Sequence, residues 1–145
     1  MITKSVQLAC DPMRAFAIFT EQASAWWPPA RRHTSDPNSA IAMLATGRFY
    51  ERATDGREVE LGVVREWRPG ERLVLDFYPG TDVDHPTHVT VRFEPNADGT
   101  RVTIEHRPLP ASEAIWKQRA AKFEQSWELL VPALEAYVSH IGERR

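Results

Sequence analysis

Cysteine is almost absent from this sequence: Cys10 is the single one in 145 residues. An internal disulfide is thereby excluded, a Cys-based metal site lacks ligands, and Cys10 itself reads as a small buried hydrophobe. Net charge is equally scarce, with 18 Lys and Arg against 20 Asp and Glu. That balance gives no electrostatic ground for a polyanionic partner, so nucleic acid is not expected. Long apolar runs are missing too. Residues 40–45 form one of the longest, far short of the ~20 residues that a membrane-crossing helix needs. Residues 1–10 alternate instead of forming a continuous apolar stretch, so no signal peptide is read and the cytoplasm is the expected compartment. There is no internal repeat, Gly-rich phosphate cradle, G-x-S-x-G elbow or dinucleotide fingerprint. Of the five histidines, His33, His85, His88, His106 and His140, no two stand at i, i+4 on a predicted helix, and Asp82, Asp84, His85 and His88 lack ligand spacing. Neither a metal nor another cofactor is expected.

What is present points to one compact domain, residues 1–145, since this length matches the commonest domain size. Residues 2–9 alternate as a strand, with Ile2, Val6 and Leu8 on one face. Asp11 then offers an N-cap and Pro12 a first helical residue, and Phe16, Phe19 and Ala23 follow at helical spacing. A second short helix is expected to end at Trp27, because a residue before proline is driven out of the helical region. Strand and turn signals fill residues 39–107. Runs at 39–46 and 47–53 precede the Asp55-Gly56 turn, which leads into 57–66. Pro69-Gly70 turns into 72–78, where Leu73, Leu75 and Phe77 share a face. Residues 87–94 alternate Val89, Val91 and Phe93 against His88, Thr90 and Arg92, and Asp98-Gly99 turns into 101–107, where Val102, Ile104 and His106 share a face. From about 112 to 141 one helical stripe runs through Ile115, Phe123, Trp127, Leu130, Leu134 and Val138. Such a helix is about 45 Å long, and Pro132 inside it should kink it. The layout is α+β: one strand, two short helices, six antiparallel strands and a long C-terminal helix across a curved sheet.

Particular residues in this order carry a resemblance. Trp26-Trp27-Pro28-Pro29 closes the first helical region, "GRFYERATDGREVELGVVREWRPGERL" spans 47–73, "THVTVRFEPNADGTRVTIEH" spans 87–106, and "SWELLVPALEAYV" spans 126–138. The chain resembles the START-like, or helix-grip, superfamily, and within it bacterial homologues of the heat-shock-protein-90 ATPase activator, over nearly its whole length. The resemblance implies a curved antiparallel sheet wrapped around the C-terminal helix, with a cavity for apolar small molecules between them. It confers no particular activity.

Candidate site residues follow from parity and stripe. Trp26 and Trp27 are about 100° apart on a helix, so one is expected in the core and the other at a cavity rim; the alternative is that both plug the domain. The expected cavity wall comprises Trp27, Phe49, Trp67, Phe77, Val91, His106, Phe123 and Trp127, with Trp67 also suited to plugging the sheet beside its turn. Tyr50, Glu51 and His106 are the candidates for orienting a ligand through polar contacts. Glu51 shares parity with Phe49, and Arg65 lies on the expected inner face of its strand, so a Glu51–Arg65 pair is expected. Arg31-Arg32 and Arg144-Arg145 fit solvated faces, and Arg31-Arg32, beside the rim, also suit an anionic ligand.

Three functions compete. The leading one is binding of a hydrophobic or aromatic small molecule. The second is a cyclase, dehydratase or hydrolase on an aromatic or polyketide-like substrate, with His106 as acid or base and Glu51 as its orienter. The third, implied by the resemblance, is a chaperone-interaction module.

Overall fold

The structure, a computed structural model, describes residues 1–143; the basic pair Arg144-Arg145 lies outside the described residues. Strand β1, Ile2–Leu8, leads to helices α1, Pro12–Thr20, and α2, Ala23–Trp26. Strands β2 to β7 follow as Ala40–Met43, Arg48–Arg52, Glu58–Arg68, Arg72–Phe77, Thr87–Asn96 and Gly99–Pro108, before helix α3, Glu113–Glu143. All seven strands form one curled antiparallel sheet in the order β1-β7-β6-β5-β4-β3-β2. The expected element order is therefore borne out. Two short 3-10 turns, Pro29–Arg31 and Pro110–Ser112, were not anticipated, and the strand expected over 39–46 shrinks to four residues.

The local causes are those that the sequence supplies. The Asp11 side chain accepts from the Arg14 amide at 2.9 Å, with Pro12 opening α1, so orphan donors at the helix start are satisfied. Trp27 is extended, with ψ 121, ahead of Pro28, and its amide closes α2 on the Ala23 carbonyl. Ser24 fastens α2 to the edge strand, accepting from the Ile41 amide at 2.8 Å and donating to the Ile41 carbonyl at 3.1 Å. At the other end, the Tyr137 hydroxyl donates to Gln22 at 2.8 Å and ties α3 to the α1–α2 junction. α3 continues through Pro132. Pro132 lies on the exposed side, where solvent can serve the Glu128 carbonyl that loses its helical partner.

The core lies between the inner sheet face and the helices. Leu73, Leu75, Phe77, Val89, Val91, Phe93, Val102 and Ile104 are all buried, as their alternation requires. The inner face of β4 departs from simple alternation, because the ladder slips between Phe49 and Tyr50 on β3 and again between Val64 and Glu66. A bulge places two residues of one strand opposite one of its neighbour and reverses parity beyond it. Arg65 consequently turns outward and donates to Asp76 at 2.9 and 2.6 Å. The expected Glu51–Arg65 pair is not formed.

Candidate functional site

Helix α3 contributes one side of a cavity, and its spacing explains which residues. Arg119, Lys122, Phe123, Ser126, Trp127 and Leu130 recur every three or four positions, so they share one helix face. Phe77 at the end of β5 stands opposite, Pro79 and Gly80 supply the loop after it, and Trp27, Ala30, Arg31, Arg32 and His33 close the third side. The cavity volume is about 230 Å³. Its interior is apolar and aromatic, formed by Trp27, Phe77, Phe123, Trp127 and Leu130. Phe77 and Trp127 stack with ring centroids 5.9 Å apart. Gly80 is required at this wall. Its φ is +81, and a Cβ there would stand 2.8 Å from the Phe123 ring, so only glycine lets the loop approach.

His106 sits behind this wall, fully buried. The Trp127 indole N–H donates to His106 Nδ1 at 3.0 Å. An indole nitrogen only donates, so Nδ1 is the acceptor and the ring proton resides on Nε2. Nε2 in turn donates to Thr87 Oγ1 at 2.7 Å, and that hydroxyl donates to the Phe77 carbonyl at 2.8 Å. Burial, helped by the charges of His88 and the N-terminus, pushes the imidazole pKa down to about 3. His106 is thus neutral at physiological pH with both nitrogens engaged. It fixes the Trp127 ring against Phe77 and has no nitrogen left for proton transfer to a ligand, which removes the geometric basis for the acid or base role considered from sequence.

Glu51 is also fully buried and serves the loop. It accepts from the His33 amide at 2.7 Å, the Thr34 amide at 2.8 Å and the Thr34 hydroxyl at 2.5 Å. Burial raises its pKa, but these hydrogen bonds, with one from the Ser39 hydroxyl, outweigh it and hold the carboxyl below its usual value, so it remains ionised. Arg32 completes the anchor by donating to the Ser39 carbonyl, to Ser39 Oγ at 3.1 Å, and to the Ser24 and Trp27 carbonyls at 2.8 and 3.1 Å. These two charges hold the Trp-Trp-Pro-Pro segment and the loop after it against β3.

Of the residues singled out from sequence, Trp27, Phe77, Phe123 and Trp127 line the cavity. Trp26 lies behind Trp27, its ring 5.5 Å away, and its indole donates to the Ile18 carbonyl at 3.0 Å. The tryptophan pair therefore divides between core and cavity wall. Phe49 and Val91 are buried beneath the wall. Tyr50 alternates to the opposite sheet face, where the Arg48 guanidinium covers it at 3.8 Å, so it cannot orient a ligand in the cavity. Trp67 plugs the far end instead of lining the cavity, edge-on to Phe16 of α1 at 5.1 Å. Sequence reasoning missed Trp116, 5.0 Å from the His106 ring. It also missed Arg119, which lies one helical turn before Phe123 of the stripe, and Lys122, one turn after Arg119.

The described residues contain no cluster of His, Cys, Asp and Glu suited to a metal ion, and no described helix is long and apolar enough to cross a membrane. No curated protein matches the chain. Among solved structures it is similar to CalC from Micromonospora echinospora, described as a self-sacrificing resistance protein, at 24% identity and TM-score 0.77, covering 99% of this chain and 97% of that one. It is also similar to a protein from Nitrosomonas europaea, at 16% identity and TM-score 0.67 over 98% and 96% of the two chains. An AHSA1-like protein from Aeromonas hydrophila aligns at 18% identity and TM-score 0.62 over 97% and 93%. At these identities the likeness concerns the fold alone. The family model for activator of Hsp90 ATPase homolog 1-like proteins, however, matches residues 9–139, and the chain belongs to that family.

Proposed function

We propose that this protein binds an apolar or aromatic small molecule in the cavity between α3 and the sheet. The observation that carries this reading is the cavity of about 230 Å³ walled by Trp27, Phe77, Phe123 and Trp127. A space of that kind, apolar within and polar at its opening, is the usual form of a small-ligand site. Burying aromatic surface supplies affinity at about 25 cal/mol per Å². The mechanism is capture, because the two buried polar side chains nearest the wall, His106 and Glu51, are committed to Trp127 and to the loop. The sheet's outer face, where a chaperone would dock, carries closely paired charges instead of an apolar patch, which favours capture over a chaperone module. A single cysteine suits a reducing compartment such as the cytoplasm.

Native mass spectrometry of freshly purified protein, followed by denaturation and identification of released molecules, tests the reading. A stoichiometric apolar adduct that Trp127→Ala fails to retain supports it. Retention of the same adduct by Trp127→Ala, or no saturable binding of any small aromatic compound added afterwards, overturns it.

A further inference from the structure

The mouth of the cavity carries charge of one sign. Arg31, Arg119 and Lys122 line it, and neither Asp nor Glu does. This is a local bias in a chain whose overall formal charge is −2. Among the described residues, none of these three side chains has an ion-pair or hydrogen-bond partner, whereas on the sheet's outer face Arg48, Arg52, Arg65, Arg68, Arg72 and Arg92 are each bonded to a carboxylate and only Arg101 and Arg107 of β7 are not. The Arg31 Nε is buried without a partner.

The helix sequence explains why the mouth stays unneutralised. The neighbours of Arg119 at three and four positions either way are Ile115, Trp116, Lys122 and Phe123, and those of Lys122 are Gln118, Arg119, Gln125 and Ser126. None is acidic, so α3 offers neither cation an i, i+3 or i, i+4 pair. Glu124 and Glu128 face β1 instead, where Lys4 lies 3.2 and 3.7 Å away. Arg32 and His33 do not change the balance. Arg32 is spent on backbone carbonyls, and burial lowers the His33 pKa, leaving that ring neutral at pH 7.

Resting on the capture reading above, we propose that the ligand is an amphipathic anion: an aromatic or apolar body seated against Phe77, Phe123 and Trp127, with a carboxylate or similar anionic head held by Arg31, Arg119 and Lys122. The size of the body follows from the cavity. A cavity of about 230 Å³, open at one side, suits a compact body such as two fused rings. The apolar part supplies most of the affinity and the head supplies selectivity, through charge-assisted hydrogen bonds that a neutral analogue cannot make equally well.

The test uses 2-naphthoate and its neutral near-isostere 2-naphthamide, titrated by calorimetry against the full-length protein. Parallel titrations use Arg119→Gln combined with Lys122→Gln, Arg31→Gln alone, and Trp127→Phe. The expected result is that naphthoate binds about tenfold more tightly than naphthamide. The double substitution should remove that preference by weakening naphthoate alone, and added salt should do the same in part. Equal affinity for both compounds, or an equal loss for both in the double variant, overturns the anionic head while the capture reading stands. Failure of both compounds to bind the wild-type protein counts against the capture reading itself. Thermal unfolding of each variant shows whether the fold is intact, and both helix positions are partly or fully exposed, so little change is expected there.

Discussion

The two faces of the sheet treat charge in opposite ways. On the outer face, Arg48 and Arg52 flank Tyr50 and bond to Glu58, Arg65 bonds to Asp76, Arg72 to Glu66 and Arg92 to Glu105. On the inner face, the ionised Glu51 and the neutral His106 are buried within hydrogen-bonded networks, and the cations at the cavity mouth stand unpaired. A strand pair can neutralise its own charges across the ladder, so a solvated sheet face readily becomes self-complementary. The mouth is assembled from a helix, a loop and a 3-10 turn, none of which supplies a carboxylate there. The difference separates charge that maintains the surface from charge left available to a ligand.

The largest effect should come from cutting the inner network. Trp127→Ala removes a buried indole and leaves His106 Nδ1 without its donor, so chemical denaturation should show a loss of about 3–5 kcal/mol. A loss below about 1 kcal/mol would mean that the inner wall is not rigidly packed.

Acid should act on the same network. The folded-state pKa of His106 lies near 3, below about 6.5 in an unfolded chain. The unfolded state therefore binds more protons between these values, and the stability that depends on a neutral ring is complete above pH 6.5 and declines as pH falls toward 3. That shift corresponds to about 2 kcal/mol lost between pH 7.5 and pH 5. His106→Gln should flatten the profile over that interval. His33 and His88, whose pKa values burial also lowers, act in the same direction and retain a residual slope. A variant profile parallel to the wild-type one would contradict the assignment.

A smaller effect is expected at Gly80. An alanine there meets both a positive φ and the Phe123 ring, so Gly80→Ala should cost about 1 kcal/mol and weaken 2-naphthoate several-fold as the ring is displaced into the cavity. Unchanged affinity would show that Phe123 yields without cost. The smallest effect belongs to the outer face. Arg65→Gln breaks an exposed pair with Asp76 and should change stability by less than about 1 kcal/mol, with ligand affinity unaltered; altered affinity would link the two faces.

Much of the fold was legible because its signals are local. Alternation marked the inner faces of β5, β6 and β7, Asp11-Pro12 marked the start of α1, and Gly-containing pairs marked the hairpins. The α3 stripe identified Phe123 and Trp127 for the same reason. What could not be read depends on contacts distant in sequence. The slip at Leu61 in β4 reversed the parity that had placed Arg65 inward, and a slip arises from ladder geometry that residue types in one strand do not reveal. The partners of Glu51 are chiefly backbone amides of a loop, and His106 finds Trp127 from another element. Tyr50 is different, since its parity opposite Phe49 already placed it outside. Arg119, four positions before Phe123, was likewise available from helix spacing, with Lys122 on the same face, but the stripe was traced through apolar positions alone.

The most direct measurement is the set of five tryptophan indole N–H signals in a nitrogen-correlated proton NMR spectrum, followed as 2-naphthoate is added. The account predicts saturable shifts for Trp27 and Trp127, which line the cavity, and an unmoved signal for Trp67, held against Phe16 at the far end. No shift at Trp27 or Trp127, or an equal shift at Trp67, would contradict a ligand seated between α3 and the sheet.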